Sequence, residues 1–427
     1  MKITRSFTFS CLALVVLAAL SGQAFAGTYY VANPGGATGC APGYYFTSIN
    51  SAISDPAVPA GSTIKVCPGQ YFEQVLINKK VTLEGVANTT QDAAVILPPA
   101  GGVVANATDL DSGGPIAAQV LVTIPGPVTI SNLTVDGTGN NVNDDTTDLM
   151  GILFQNASGT VNHVAVRNQL PGGVPTGDSG YGQGIYVQTA SGNFSTVTVE
   201  NSSVHGYNKN GITGNDPGTT LTVTGSYVQG NGALGLGYDA QNGIQIGFGA
   251  AGRVSSTKVI DNSYVGPTYG ASSILLYNAA EVSTNAISNN IIGNSQIPIG
   301  LYDVGPGNND DDVSVTGNLI FGSLTYDAID ACSNNNTITG NTIVNSAESG
   351  VHLDGTCGAT GNGNTVSANT FLESACAGIL EDSGEAGNTI GTETYYSVPF
   401  PITTPATACV LTGEVTRTHK LKVSPKR

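Results

Sequence analysis

From Gly151 to Asp382 the chain keeps restarting on one pattern: a small residue, an aliphatic, then a short run whose positions alternate between two faces. The phrase occurs as Gly151-Ile152-Leu153-Phe154, Gly184-Ile185-Tyr186-Val187, Gly211-Ile212, Gly243-Ile244-Gln245-Ile246, Ser273-Ile274-Leu275-Leu276, Gly300-Leu301-Tyr302, Ala328-Ile329-Asp330, Gly350-Val351-His352-Leu353 and Gly378-Ile379-Leu380. The widest step between aliphatics is the 33 residues from Ile152 to Ile185, the narrowest the 22 from Ile329 to Val351. A period in this range marks a repeat architecture. Between restarts lies a second alternating run, as in Val313-Ser314-Val315, Thr337-Ile338-Thr339 and Thr365-Val366-Ser367, each followed by an Asn-x-aliphatic triplet at Asn318, Asn341 and Asn369. Another such triplet starts at Asn290. Gly, Asn, Ser and Thr interrupt these runs too often for a helix of 3.6 periodicity, so each repeat holds two or three strands.

Strands this short cannot bury an apolar face within one repeat, so each coil must stack on the next about 4.8 Å away. The recurrent Asn residues then form an internal ladder of side-chain amides. The expected class is all-β, a parallel β-helix solenoid, and the Gly-Ile restarts with Asn-x-Ile triplets resemble the right-handed parallel β-helix repeat proteins of the pectin-lyase-like superfamily. That resemblance covers most of the chain and implies a fold, not an activity.

Upstream, Thr47 to Ser54 has apolar residues at i and i+4, matching one short amphipathic helix. With Gly61 to Tyr71, Val75-Leu76-Ile77 and Val81 to Gly85 it resembles the N-terminal cap and first coil of pectin methylesterase-like and periplasmic β-helix proteins. Such a helix would close the open end of the core and hide its strand edges. Residues 1–26 read as a secretory signal, with Lys2 and Arg5, an apolar stretch from Phe7 to Leu20 and a small-x-small site at Ala24-Phe25-Ala26. The expected organisation is therefore a signal at 1–26, a β-helix domain at 27–405 whose cap is 27–60, and a tail at 406–427. No later stretch is apolar enough to span a bilayer, so a secreted or periplasmic protein without membrane insertion is expected.

Six cysteines follow the signal: Cys40, Cys67, Cys332, Cys357, Cys376 and Cys409. In an exported chain an even number favours disulfides, though six allow about 15 connectivities. Proximity along the coils suggests Cys40–Cys67, Cys332–Cys357 and Cys376–Cys409. The formal charge of −16 becomes −18 once Lys2 and Arg5 are removed, which argues against nucleic acid or an anionic membrane as partner. It also weighs against a polyanionic substrate unless Ca²⁺ bridges the two.

Because a strand alternates its faces, the residue after each restart aliphatic points outward, as does the one two further on. Stacking makes two outward columns. One runs through Tyr186, Thr213, Gln245, Leu275, Tyr302, Asp330, His352 and Leu380. The other runs through Gln188, Asn215, Gly247, Tyr277, Val304, Cys332, Asp354 and Asp382. Asp330, His352, Asp354 and Asp382 are thus the candidate catalytic groups. Adjacent rungs about 5 Å apart and diagonal neighbours about 7–8 Å apart give Asp330 and Asp354 the carboxyl spacing of an inverting glycosidase. Tyr186, Gln188, Gln245, Tyr277 and Tyr302 are candidate sugar contacts.

The principal expectation is recognition of an extracellular or envelope polysaccharide along this face. A hydrolase or lyase using the four ionisable groups, and a non-catalytic spacer or adhesin, are the alternatives. Polygalacturonase-like, pectin methylesterase-like and pectate lyase-like enzymes carry motifs that this sequence lacks, and Arg167, Lys209, Arg253 and Lys258 lie off the outward columns. Epimerase-like β-helices use a Tyr, His and Asp set that Tyr302, His352 and Asp330 match in type alone. No cofactor is expected, and Ca²⁺ is the ion that Asp310-Asp311-Asp312 or Asp144, Asp145 and Asp148 would take.

Overall fold

A computed structural model describes residues 26–33, 38–86, 91–144, 146–172, 182–234, 240–264, 270–304, 312–356 and 360–403. The signal segment up to residue 25, Asp145, Asp310, Asp311, Cys357, Cys409 and the 406–427 tail lie outside them. The described chain winds into three sheets of 13, 12 and 13 strands, parallel throughout except for Ala107–Thr108, which pairs antiparallel in the third. One sheet runs from Thr28–Val31 to Thr389–Ile390, the next from Gly69–Phe72 to Thr394–Tyr396, and the restart sheet from Val75–Ile77 to Phe400–Thr403. From Ser62 onward each coil contributes one strand to each sheet, and Thr28–Val31 adds a further strand to the first sheet at the cap. The solenoid core lets a chain of this length stay in one unit, because apolar burial extends along an axis.

The restart aliphatics stack as the periodicity predicts. Ile152, Ile185, Ile212, Ile244 and Ile274 pair in succession, as do Ile329, Val351 and Ile379. All eight are fully buried. One rung departs from the expected alignment: Ile274 pairs with Ile299, and Ile299 with Ile329, so Leu301 lies one inward position further along, opposite Leu276 and Ala331. The slip is two residues, which keeps every side chain on its own face but moves Tyr302 to the second outward column, between Tyr277 and Cys332.

The small residue of the phrase is set by space inside the coil. A Cβ on Gly184 would lie 2.4 Å from Val204 Cγ1 and 2.5 Å from the Gly211 carbonyl oxygen. The second sheet's inward valines therefore abut the restart backbone directly, a distance that no side chain fits.

The Asn ladder closes the corner between the first two sheets. Asn318 Oδ1 accepts from Asn290 N at 2.9 Å and Nδ2 at 3.0 Å; Asn341 Oδ1 accepts from Asn318, and Asn369 Oδ1 from Asn341, in the same way. Each Nδ2 also donates to a carbonyl one coil back, as Asn341 does to Val315. Above Asn290 the ladder continues in hydroxyls, through Thr257, Ser226 and Ser202. A second ladder, Asn336 to Asn364 to Asn388, runs alongside it. Buried amides supply a donor and an acceptor in one group, so a stack satisfies itself rung by rung.

The cap helix spans Ile49–Ser54. Ser48 Oγ accepts from Ser51 N at 3.1 Å, and the Glu73 carboxylate accepts from the amides of Ile49 and Asn50 at 2.7 and 3.0 Å, answering the unpaired donors of a helix start. Buried Ile49, Ala52 and Ile53 plug the end of the core. Beside it, Cys40 and Cys67 form a disulfide, with Cα atoms 5.9 Å apart. Cys332 and Cys376 are disulfide-bonded as well, to partners outside the described residues. No helix among the described residues is long and apolar enough to cross a membrane.

Candidate functional site

The outward face of the restart sheet is not a plain water-facing surface. Tyr186, Gln188, Gln245, Tyr277 and Tyr302 are each at most 7% exposed. In the upper coils their polar atoms are engaged within the protein. Gln188 Nε2 donates to Asp109 Oδ2 at 3.0 Å, and its Oε1 accepts from Leu110 N at 3.1 Å, which ties a segment from earlier in the chain over the sheet. Gln245 Nε2 donates to Asn215 Oδ1, and its Oε1 accepts from Asn210. Tyr277 packs on Phe248 with ring centroids 5.3 Å apart.

Lower down, the strands Ile329–Cys332, Ser349–Leu353 and Ala377–Glu381 carry the ionisable cluster. Asp330 pairs directly with His352, and Leu353 with Glu381 sets Asp354 beside Asp382 just past the strand ends. The displaced Tyr302 still reaches the cluster, because its ring folds back over Gly300, whose absent Cβ would fall 2.4 Å from Tyr302 Cε2. The Tyr302 hydroxyl then donates to Asp330 Oδ2 at 2.7 Å.

His352 is the centre. Its Nδ1 lies 3.1 Å from Asp327 Oδ2 and its Nε2 3.4 Å from Asp382 Oδ1, with the His352 side chain 16% exposed. Burial alone would depress the imidazole, but the flanking Asp327 and Asp382 overcome it and hold His352 well above its ordinary value. It is an imidazolium, with a donor for each carboxylate. Burial also opposes ionisation of Asp327, yet His352 and the Ser349 backbone and hydroxyl bring that carboxyl below the usual range. Asp382 is lowered against burial by His352, by the Gly355 amide and by Asp354.

Three other carboxyls are driven the opposite way. Burial, then the neighbouring Asp354, pushes Asp330 well up, and its Oδ1 is buried with no hydrogen-bond partner. Burial raises Asp354, although the Thr356 amide donates to its Oδ1 at 2.6 Å. Burial, then Asp382, pushes Glu385 up to about 8. Glu385 Oε1 sits over Gly361, where a Cβ would come within 2.6 Å of it.

Asp327 and Glu385 have no place in the outward columns. Asp327 stands in the turn before its strand and Glu385 in the turn after, where alternation assigns no face; the local signal was the spacing of acids, Asp327 with Asp330 and Asp382 with Glu385. Asp354 lies near enough to Asp330 to raise its carboxyl, and the ligand atoms of His352, Asp354 and Asp382 all lie within 4.8 Å of one another. Asp327, Asp330 and His352 form a second such group. Either trio could hold a cation, at the cost of the proton His352 now keeps. Of the acids considered for Ca²⁺, Asp144 instead accepts from the Thr146 and Thr147 amides and caps its own turn.

The backbone is similar to the GH136 lacto-N-biosidase from Eubacterium ramulus, with TM-score 0.55 and 12% identity over 87% of this chain and 67% of that one. An alginate lyase from a Paenibacillus species matches over 88% of this chain and 99% of its own, at 14% identity and TM-score 0.43. No protein-family model matches the sequence, and no curated protein does. The protein is a right-handed parallel β-helix of the pectin-lyase-like fold. Its structural neighbours include carbohydrate-active proteins of that architecture. At such identity the likeness speaks for the fold.

Proposed function

We propose that the protein is an exported glycoside hydrolase that cleaves an extracellular or envelope polysaccharide at the lower end of the restart face. The observation that carries this reading is a neutral carboxyl, Glu385, beside an ionised one, Asp382, at the partly exposed edge of the cluster. Glycoside hydrolysis needs that division of labour: an acid to protonate the leaving oxygen and a carboxylate to attack or to activate water.

Glu385 is the proton donor in this scheme. Asp382 is the carboxylate, steered by the His352 imidazolium and the Gly355 amide. Asp354, raised by burial, stands beside Asp382. Asp330 and Asp327 position the ring of His352 from below, with Tyr302 holding Asp330. Buried acids whose proton affinities are pushed apart within one patch fit a site that moves protons better than a plain sugar-binding face.

The test is release of reducing ends from a polysaccharide panel by wild type, Asp382→Asn and Glu385→Gln. Turnover should follow a bell in pH, with its alkaline limb near 8 where Glu385 loses its proton and its acid limb where Asp382 gains one. Binding without turnover would make the face a recognition module, and neither would leave a spacer.

A further inference from the structure

The coils that carry the cluster hold no permanent cation. Between Lys258 and Arg417 the sequence has neither lysine nor arginine, against sixteen aspartates and glutamates. His352 is the only basic side chain in that stretch, and both of its nitrogens already face carboxylates. Among the described residues the arginines lie elsewhere: Arg167 on the second sheet, paired with Asp92 and Asp136, and Arg253 on the first, donating to the Thr284 carbonyl. A substrate carboxylate or sulfate entering here would shed water without meeting a partner charge, and would approach ionised Asp327 and Asp382. Sugar hydroxyls fare differently. They donate and accept without charge, and the half-buried edge of the cluster offers Asp382 as an acceptor and the protonated Glu385 as a donor.

We infer that the substrate is an uncharged glycan and that polyanionic glycans are excluded by the charge of these coils, an inference that rests on the hydrolase reading for its chemistry but not for its selectivity. Charge can be isolated by using one backbone in two forms. Fully methyl-esterified and de-esterified oligogalacturonides, an uncharged β-glucan and xylan set, a sulfated glycan and a chitosan oligomer would be compared for binding by affinity electrophoresis and for reducing-end release. Each would be run in EDTA and in Ca²⁺.

Uncharged glycans should be retained, and the free-acid oligomer should bind at least about tenfold more weakly than its ester, the gap narrowing as salt shortens the roughly 10 Å screening length at 0.1 M. Equal or tighter binding of the free acid, in EDTA or bridged by Ca²⁺, would overturn the inference, as would preference for the chitosan oligomer. Uncharged glycans bound but not cleaved would remove the hydrolase reading and leave the selectivity standing. Cleavage of the free-acid polymer would do the reverse, and no binding of any class would remove both.

Discussion

The upper and lower halves of the restart face share one geometry and differ in chemistry. In the upper coils Gln183, Asn210, Thr213, Asn215, Asn242 and Gln245 are buried and joined in one network, with Thr213 donating to Gln183, Asn242 to Asn210, and Gln245 to Asn215. In the lower coils the equivalent positions hold Asp330, His352, Asp354 and Asp382. An amide donates and accepts at once, so a stack of amides closes on itself at any pH. A carboxylate only accepts, so stacked acids need protons or cations to coexist. The first arrangement is inert framework, whereas the second stores protons at neutral pH, and Asp330 Oδ1 is left without a partner.

Substitutions can break this contrast. Asp382→Asn or Glu385→Gln should cut turnover by about 10²- to 10⁴-fold, whereas Gln245→Leu should leave turnover unchanged and show only as lost stability in denaturant titration. Asn341→Leu strips the acceptor of Asn318 N and Nδ2 and the donor to Val315. It should cost about 2–6 kcal/mol in the same titration, since the Asn318 amide and the Val315 carbonyl each lose a buried partner at about 1–3 kcal/mol, while Asn318 Nδ2 keeps the Ile287 carbonyl.

Gly300→Ala should displace the Tyr302 ring and break its bond to Asp330, at about 1–3 kcal/mol for the overpacked contact; altered near-ultraviolet dichroism of the tyrosines would report it. A last substitution sharpens the electrostatic side. Burial and Asp382 push Glu385 up to about 8 from an ordinary value of 4.5, so its contribution to stability is whole below pH 4.5 and declines as pH rises to about 8. Glu385→Gln carries no such charge, and its melting temperature should gain on that of wild type across this window.

The framework was legible because it is periodic: the Gly-Ile restarts and Asn-x-Ile triplets each recur on coil after coil, and pairing in the structure follows them from Ile152 to Ile379 with one exception. That exception is instructive. Pro298-Ile299-Gly300-Leu301 offers two inward aliphatics, and the small-aliphatic phrase selects Leu301, while the sheet selects Ile299. Period-two alternation is blind to a slip of two, so the error reached Tyr302 but not the in-or-out assignment. The burial of the outward columns was not legible, because the segment held over Gln188 comes from Asp109 and Leu110, far away in the chain. Asp327 and Glu385 were hidden for a related reason, in that both stand in turns.

The pairing of Asp330 with His352, and of Leu353 with Glu381, makes the cluster a matter of alignment between coils rather than of any one loop. Inserting one guest coil of uncharged sequence between the strands of His352 and Asp382 would let the ladders reform around the guest, yet carry Asp382 one strand spacing, about 4.8 Å, farther from His352. The cylinder would grow and its chemistry would vanish. A protein built this way can acquire or discard an activity by changing its length, with the core none the wiser.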